Sequence, residues 1–139
     1  MFLGADEYRD SIRNMVRRAT LSQNATVGSD YVVADFSGRS GERFSGVPIS
    51  HGYGFHAEPL AGADALLLAL GGRSDAVHCL GIDDPRGRPS LGPGAVAIWD
   101  NNGQIVSLVQ KNIRVVSPTH IHLDAPTITS SVPITVASS

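Results

Sequence analysis

Hydrophobic residues recur with a helical period only near the start of this chain, and they form short strand-like runs after that. Within residues 6–18, the apolar side chains Tyr8, Ile12, Met15 and Val16 are spaced so that they form one stripe on a helix. Acidic residues open this stretch and arginines close it, which the helix dipole favours. The pattern therefore predicts one amphipathic helix, which is short and needs something to dock on.

From there to about residue 111, short apolar runs are separated by turns rich in glycine and proline. The run ADALLLALGG has the length of a short helix or a strand, and its flanks favour a fully buried strand. The runs AVAIWD and QIVSLV flank Asn101-Asn102-Gly103, whose residue types tolerate the positive φ of tight hairpin turns. About five short strands with one helix predict a small barrel such as an OB-fold; a small sandwich or an SH3-like barrel fits almost as well.

The character of the chain changes at Asn112. Of the 28 residues from Asn112 to Ser139, 17 are Ser, Thr, Val or Ile, a composition that a disordered tail would also have. Periodicity argues against disorder, because VSPTHIHL aligns with DAPTITSS as an eight-residue repeat and VPITVASS is a looser third copy. Regular short β units with proline at the bends are typical of a β-solenoid.

A single ribbon of this kind cannot bury its apolar face alone, so this segment needs partner chains. Three identical ribbons wound about a common axis would bury inward residues such as Ile113 and Val115 and would leave no open sheet edge. The sequence thus predicts an all-β homotrimer with an N-terminal helix, an OB-fold barrel and a C-terminal intertwined triple-stranded β-helix. The predicted ranges are 1–18 for the attachment helix, 19–92 for the barrel, 93–111 for a hairpin and neck, and 112–139 for the needle.

Two histidines, His120 and His122, lie one residue apart in this segment. In the repeat alignment they correspond to Ile128 and Ser130, so they face the axis if Ile128 does. Three chains would then bring six imidazoles together, a nitrogen site that suits a divalent transition metal such as iron, nickel or zinc. Its predicted role is to cross-link the three strands. The competing interpretation is a chance His-x-His pair that faces solvent.

Charge and cysteine content narrow the classes of function. The net charge of −2 gives no broad attraction to nucleic acid, although Arg13, Arg17 and Arg18 cluster near the start. Cys79 is the one cysteine, so a disulfide within the chain is impossible and a buried hydrophobic role is expected. The sequence shows no apolar run long enough for a membrane helix and no signal-peptide pattern, which predicts a cytoplasmic site of synthesis.

Two other classes of function compete with a structural role. A nucleic-acid-binding OB module would need a basic groove with stacking rings; basic candidates are few, Arg39 and Arg43, and the candidate rings are Phe36, Phe44, Tyr53 and Phe55. An enzyme would need an acid–base pair, for which the candidates are His56 with Glu58 and the pair Asp83-Asp84. No nucleophile motif accompanies either pair, so we expect no enzyme, and we expect His51, His56 and His78 to be surface or ordinary core residues.

Several short motifs follow one another in a fixed order through the middle of the chain. They are YGF at 53–55 with PLAGA at 59–63, an apolar run ending in Gly71-Gly72, DDPR at 83–86 with RP at 88–89, LGPGAVA at 91–97, and the DNNGQ hairpin. In order and spacing these motifs resemble the central spike proteins of Mu-like contractile-tailed phages, also called baseplate assembly protein V. The resemblance covers most of residues 12–139.

This resemblance implies a trimeric virion protein of the tail baseplate, with an OB-fold followed by a triple-stranded β-helix needle. Its implied partners are two other copies of itself, hub and tail-tube proteins and, transiently, the host outer membrane that the needle pierces; nucleic acid is not among them. It also implies an iron ion on the three-fold axis, held by a His-x-His pair to which His120 and His122 correspond. One departure is that His122 lies 17 residues before the end. Either the last residues fold back over the tip, or a separate tip protein completes the needle.

Overall fold

The computed structural model describes residues 4–73 and 75–137, and its regular structure is mostly β. The chain divides into two compact units, Met1–Arg88 and Pro89–Ser139. The predicted ranges 1–18 and 112–139 extend beyond the described residues at both ends of the chain. Within the described residues, no helix is long and apolar enough to cross a membrane.

The N-terminal helix α1 spans Ala5–Arg13 and is shorter than predicted. Its first turn is capped by the Gly4 N–H, which donates to Glu7 Oε2 at 3.3 Å. The prediction of helix through residue 18 is wrong because the stretch from Val16 onward pairs with a strand of the barrel. Cross-strand hydrogen bonds and burial there outweigh a helical spacing of apolar residues. The side chain of Tyr8, part of the predicted stripe, lies outside the described residues.

Five strands of the first unit close into a barrel, which confirms the predicted small barrel. The sheet has the order β1-β5-β6-β4-β3-β2, and an additional pairing of β1 with β3 closes it, with β2 as a short extension. All pairings are antiparallel except the contact of β4 with β6 at Ile49 and Cys79. The strands are β1 Val16–Leu21, β2 Thr26–Val27, β3 Val32–Ser37, β4 Arg43–Ile49, β5 Asp64–Ala69 and β6 Val77–Asp83. Single 3-10 turns occupy Arg39–Gly41 and Leu70–Gly72.

Alternate residues of these strands fill the barrel. Phe36, Leu21, Leu67 and Cys79 are its largest fully buried side chains. The predicted strand in ADALLLALGG is confirmed as β5, but it is half-buried and not fully buried, because a barrel wall turns every second residue, such as Leu66, toward solvent. Burial raises the pKa of the Cys79 thiol, in keeping with the predicted role of a small buried hydrophobe.

Arg17 forms hydrogen bonds to three connecting segments of the barrel. Its guanidinium donates from Nε to the Asn14 carbonyl at 2.9 Å, from Nη1 to Glu42 Oε2 at 3.1 Å and from Nη2 to the Gly72 carbonyl at 2.7 Å. It also lies over the Phe44 ring, 5.7 Å from its centroid. One side chain thereby fixes the entry to β1 and two turns.

The second unit is an antiparallel meander of β7 Val96–Trp99, β8 Ile105–Val109 and β9 Asn112–Val116. The hairpin predicted around Asn101-Asn102-Gly103 is confirmed: Asp100 Oδ1 accepts the N–H groups of Asn102 and Gln104, each at 3.0 Å. Gly103 has φ +84°, the left-handed conformation that favours glycine. The predicted needle, residues 112–139, includes β9, whereas in the single chain β9 pairs with β8.

Residues 117–137 form no helix or strand in the single chain. The backbone bends at Pro118-Thr119, Pro126 and Ser131-Val132, and between the first two bends the rings of His120 and His122 lie on one side, as in an extended strand. The first two bends fall at the aligned prolines of the predicted repeat. A triple-stranded β-helix requires three chains, so this part of the predicted fold stays a prediction.

Candidate assembly face and histidine pair

One face of the β7–β9 meander is entirely aliphatic. The strand register places its residues in two cross-strand rows, Val96–Leu108–Ile113 and Ile98–Val106–Val115. We call these six residues the aliphatic face. All of them are exposed in the single chain, from 38% for Val106 to 73% for Ile113.

The opposite face of the same meander is different. Its central residue Ser107 is buried, and Ile105 and Val116 are half-buried. The segment from Pro89 to Leu91 lines a cavity together with Ser107, so the unit's own chain lies along this side. The contrast between the two faces was not predicted from the sequence. Alternate positions of AVAIW, IVSLV and NIRVV are aliphatic, but only the pairing register shows that these three sets share one face.

His120 and His122 project from the same side of the extended segment, as predicted. Their ring centroids are 6.1 Å apart and the ring planes differ by 22°. The turn before them is fastened by Ser117 Oγ, which accepts the backbone N–H of His120 at 3.2 Å. Among the described residues, no three His, Cys, Asp or Glu side chains of one chain are grouped closely enough to hold a metal ion. A metal held by this pair therefore stays a prediction that depends on other copies.

The side on which the histidines lie depends on the bend at Pro118-Thr119. An uninterrupted strand from Ile113 would put Ile121 and Leu123 on the side of the aliphatic face and the histidines on the other. The alignment with Ile128 gives the opposite phase. Because the bend lies between β9 and the histidines, it breaks the strand's alternation, and the two phases need not agree. The sequence alone does not reveal this conflict, because without the bend Val115 and His120 are parts of one ribbon.

The loop after β4 holds a second histidine pair that the sequence spacing did not reveal. The rings of His51 and His56 stack with centroids 5.8 Å apart. His51 Nε2 accepts the Ala57 N–H at 3.3 Å, and His56 Nε2 lies 3.2 Å from Glu58 Oε2. The candidate acid–base pair His56–Glu58 is thus within hydrogen-bond distance, at an exposed position. His78 makes an edge contact with the Tyr31 ring.

The DDPR motif forms a charged loop that is fastened to the PLAGA motif. Arg86 binds the Asp84 carboxylate with two hydrogen bonds, of 2.9 and 2.7 Å, and donates to the Ala61 carbonyl at 2.8 Å. These hydrogen bonds lower the pKa of Asp84 to about 2. Gly62 has φ +94° and leaves room for the Arg86 guanidinium, which a Cβ there would approach to 3.1 Å. Asp83 pairs with Arg88 in the same loop.

Two of the four candidate rings for stacking on nucleic acid bases are buried. Phe36 and Phe44 are 1% and 4% exposed because they point into the barrel core. Tyr53 and Phe55 are exposed in the loop after β4. The sequence alone could not distinguish the buried pair from the exposed pair, because residue type does not show whether an aromatic ring lies in the core or on the surface.

Comparison with known families identifies the first unit. Residues 18–86 match the family model described as Bacteriophage Mu Gp45, N-terminal. The match begins inside β1 and ends just beyond β6, so it covers the barrel. No curated protein matches the chain closely enough to count as a relative. The family points to a component of the virion that interacts with other phage tail proteins. This chain belongs to the family of Mu-like phage baseplate and spike proteins.

Proposed function

We propose that the chain is the central spike of a contractile phage-type tail. In this proposal three copies form one needle, the barrel is an OB-fold that attaches it to the baseplate hub and tail tube, and the needle pierces the host outer membrane when the tail contracts. The role is mechanical and not enzymatic. The observation that carries the proposal is the aliphatic face, which the single chain leaves uncovered.

The energetics of that face favour association with other copies. Fully burying one Val, Leu or Ile side chain is worth about 1.5–3 kcal/mol relative to full exposure. Six such residues lie side by side on the face, whereas exposed apolar side chains on a monomer are usually scattered. Among the described residues, no strand pairs with the outer edge of β7 or of β9, so both edges can pair with another chain. A second and a third copy of the same sheet would cover the face and its edges together.

The segment 117–137 supports the same assembly. It forms no helix, bends at its aligned prolines and exposes aliphatic side chains such as Ile128, Val132, Ile134 and Val136. Three such ribbons intertwined as a triple-stranded β-helix would direct them to a common axis and would supply the backbone partners that one ribbon lacks.

A metal ion on that axis fits the residues present. His120 and His122 project from the same side, and neutral imidazole nitrogens are good ligands for divalent iron, nickel and zinc. We propose iron, one ion per trimer, as the structural cross-link that keeps the three strands from separating. The residues after His122 would then either fold back over the tip or bind a separate tip protein.

The proposal is tested by a matched pair of substitutions. Val96 lies on the aliphatic face and is 60% exposed, whereas Val27 lies in β2 of the barrel unit and is 62% exposed. The variant Val96→Asp should be monomeric by native mass measurement while the barrel stays folded, and Val27→Asp should remain a trimer. Wild-type chain that is monomeric at micromolar concentration, or a trimeric Val96→Asp variant, would contradict the proposed assembly.

The role in the tail requires a second measurement. Tails assembled with the Val96→Asp chain in place of the wild type should lack a resolved needle in electron micrographs and should not kill the host. Tails carrying Val27→Asp serve as the control. Full infectivity with the Val96→Asp chain would argue against a piercing role.

A further inference from the structure

Asp124 is the one charged side chain in the described segment after Arg114. Its carboxylate has neither a hydrogen bond nor an ion pair within the described chain. It follows His122 by two residues, and the backbone has no bend between His120 and Ala125. In an extended backbone, alternate residues project to the same side. Asp124 therefore continues the row that His120 and His122 begin.

The spacing of this row lets neighbouring side chains interact. The two imidazole centroids are 6.1 Å apart, close to the separation of about 6.5–7 Å between alternate residues of an extended strand. From the next position of the row a carboxylate can reach an imidazole N–H by rotation about its side-chain bonds, although the two groups are not paired in the single chain. No bend or proline separates them.

Charge gives a reason for the two groups to pair. If the row faces the three-fold axis of the proposed trimer, three Asp124 carboxylates converge there. A buried charge without a partner costs several kcal/mol. The described segment after Arg114 has no Lys or Arg to compensate them. The positive charge that remains available is that of the divalent ion that the neutral imidazoles hold.

We propose that Asp124 is a positioning residue of the histidine metal centre. Its carboxylate accepts a hydrogen bond from the ring N–H of His122, at the nitrogen that does not bind the ion. This inference rests on the proposed function, since it requires the metal. Carboxylates in this position fix the orientation of the imidazole and raise its basicity, and their loss typically costs about 10–100-fold in metal affinity.

The test compares metal release from full-length trimers loaded with Fe²⁺ under anaerobic conditions. Trimers of wild type, Asp124→Asn, Asp124→Glu and Ser130→Ala are isolated by gel filtration and mixed with a chelator. Asp124→Asn should keep one iron per three chains but release it about 10–100-fold faster. Asp124→Glu keeps the acceptor and should restore most of the lost affinity. Ser130→Ala changes a polar side chain beyond the bend at Pro126 and should release iron at the wild-type rate.

The outcomes separate this inference from the proposed function. A wild-type trimer that binds no metal overturns the proposed metal centre and the role of Asp124, but leaves the trimeric spike intact. Iron-loaded wild type and Asp124→Asn trimers with equal release rates overturn the role of Asp124 alone. If Asp124→Asn does not assemble, the deciding measurement is made on Zn²⁺-loaded wild type by NMR, where the free ring N–H of His122 should exchange slowly with water. A rapidly exchanging N–H would contradict the hydrogen bond.

Discussion

The barrel and the β7–β9 meander are built from similar strands but treat their apolar side chains in opposite ways. The barrel closes on itself, so alternate residues such as Phe36 and Leu67 are withdrawn completely from water. The meander stays open, and its aliphatic face remains exposed in the single chain. Because the barrel closes, the first unit buries its apolar interior without a second chain. The second unit has a row pattern of aliphatic side chains like that of a protein core, but in the single chain nothing covers them.

The largest difference should appear between substitutions in the two apolar sets. Phe36→Ala should lower the free energy of unfolding of the barrel by about 3–5 kcal/mol, because it leaves a cavity in a closed core. Ile98→Ala, on the aliphatic face, should leave the barrel transition unchanged and should instead weaken self-association. Urea unfolding monitored by circular dichroism measures the first effect, and sedimentation measures the second. If Phe36→Ala and Ile98→Ala destabilised the barrel equally, the two apolar sets would not differ in the way described.

A smaller effect is expected within the meander itself. Gly103→Ala should destabilise the β7–β8 hairpin by about 1 kcal/mol, since an L-residue at φ +84° is strained. Gly81→Ala is the matched control in the barrel, because Gly81 has no positive φ and a Cβ there would meet no atom within 4 Å. Amide hydrogen exchange in β7 and β8 reports the difference. Equal protection in the two variants would show that the hairpin turn does not limit the stability of the meander.

The smallest effect should follow pH and should be confined to the barrel unit. The pKa of Asp84 falls from 3.8 to about 2 in the folded chain, chiefly through the side-chain hydrogen bonds from Arg86. Because the folded pKa is depressed, the stabilisation is present above about pH 4 and is lost as the pH falls through 2. The carboxyl carbon shift of Asp84, followed by NMR, should titrate in that range. In Asp84→Asn the backbone amides of residues 60–63 should lose this pH dependence; a midpoint near pH 4 in wild type would show that the ion pair is absent in solution.

The barrel could be predicted from the sequence largely because its signals are local. Apolar runs between Gly- and Pro-rich turns gave the strands, and Asn101-Asn102-Gly103 gave the hairpin. The end of α1 could not be predicted in this way, since Val16 fits a helical stripe as well as a strand. Its pairing with Leu68, more than fifty residues away, decides between them. The same limit applies to Phe36 and Phe44, whose burial depends on closure of the barrel.

The candidate site was predictable only in part. The alternation rule correctly placed His120 and His122 on one side of the chain. It could not give the phase of that side relative to β9, because the bend at Pro118-Thr119 lies between them. The aliphatic face was missed for a related reason: alternation within each run is visible, but the register that combines three runs into one surface is set by hairpin geometry.

The uncovered aliphatic face has a consequence for how the protein is made. The newly made chain exposes the aliphatic face and, among the described residues, the unpaired edges of β7 and β9. Such surfaces promote aggregation when the concentration of chains is high. If three copies assemble as proposed, correct assembly then competes with nonspecific aggregation. Slow synthesis at low temperature should favour assembly, and strong overproduction should direct the chain into inclusion bodies.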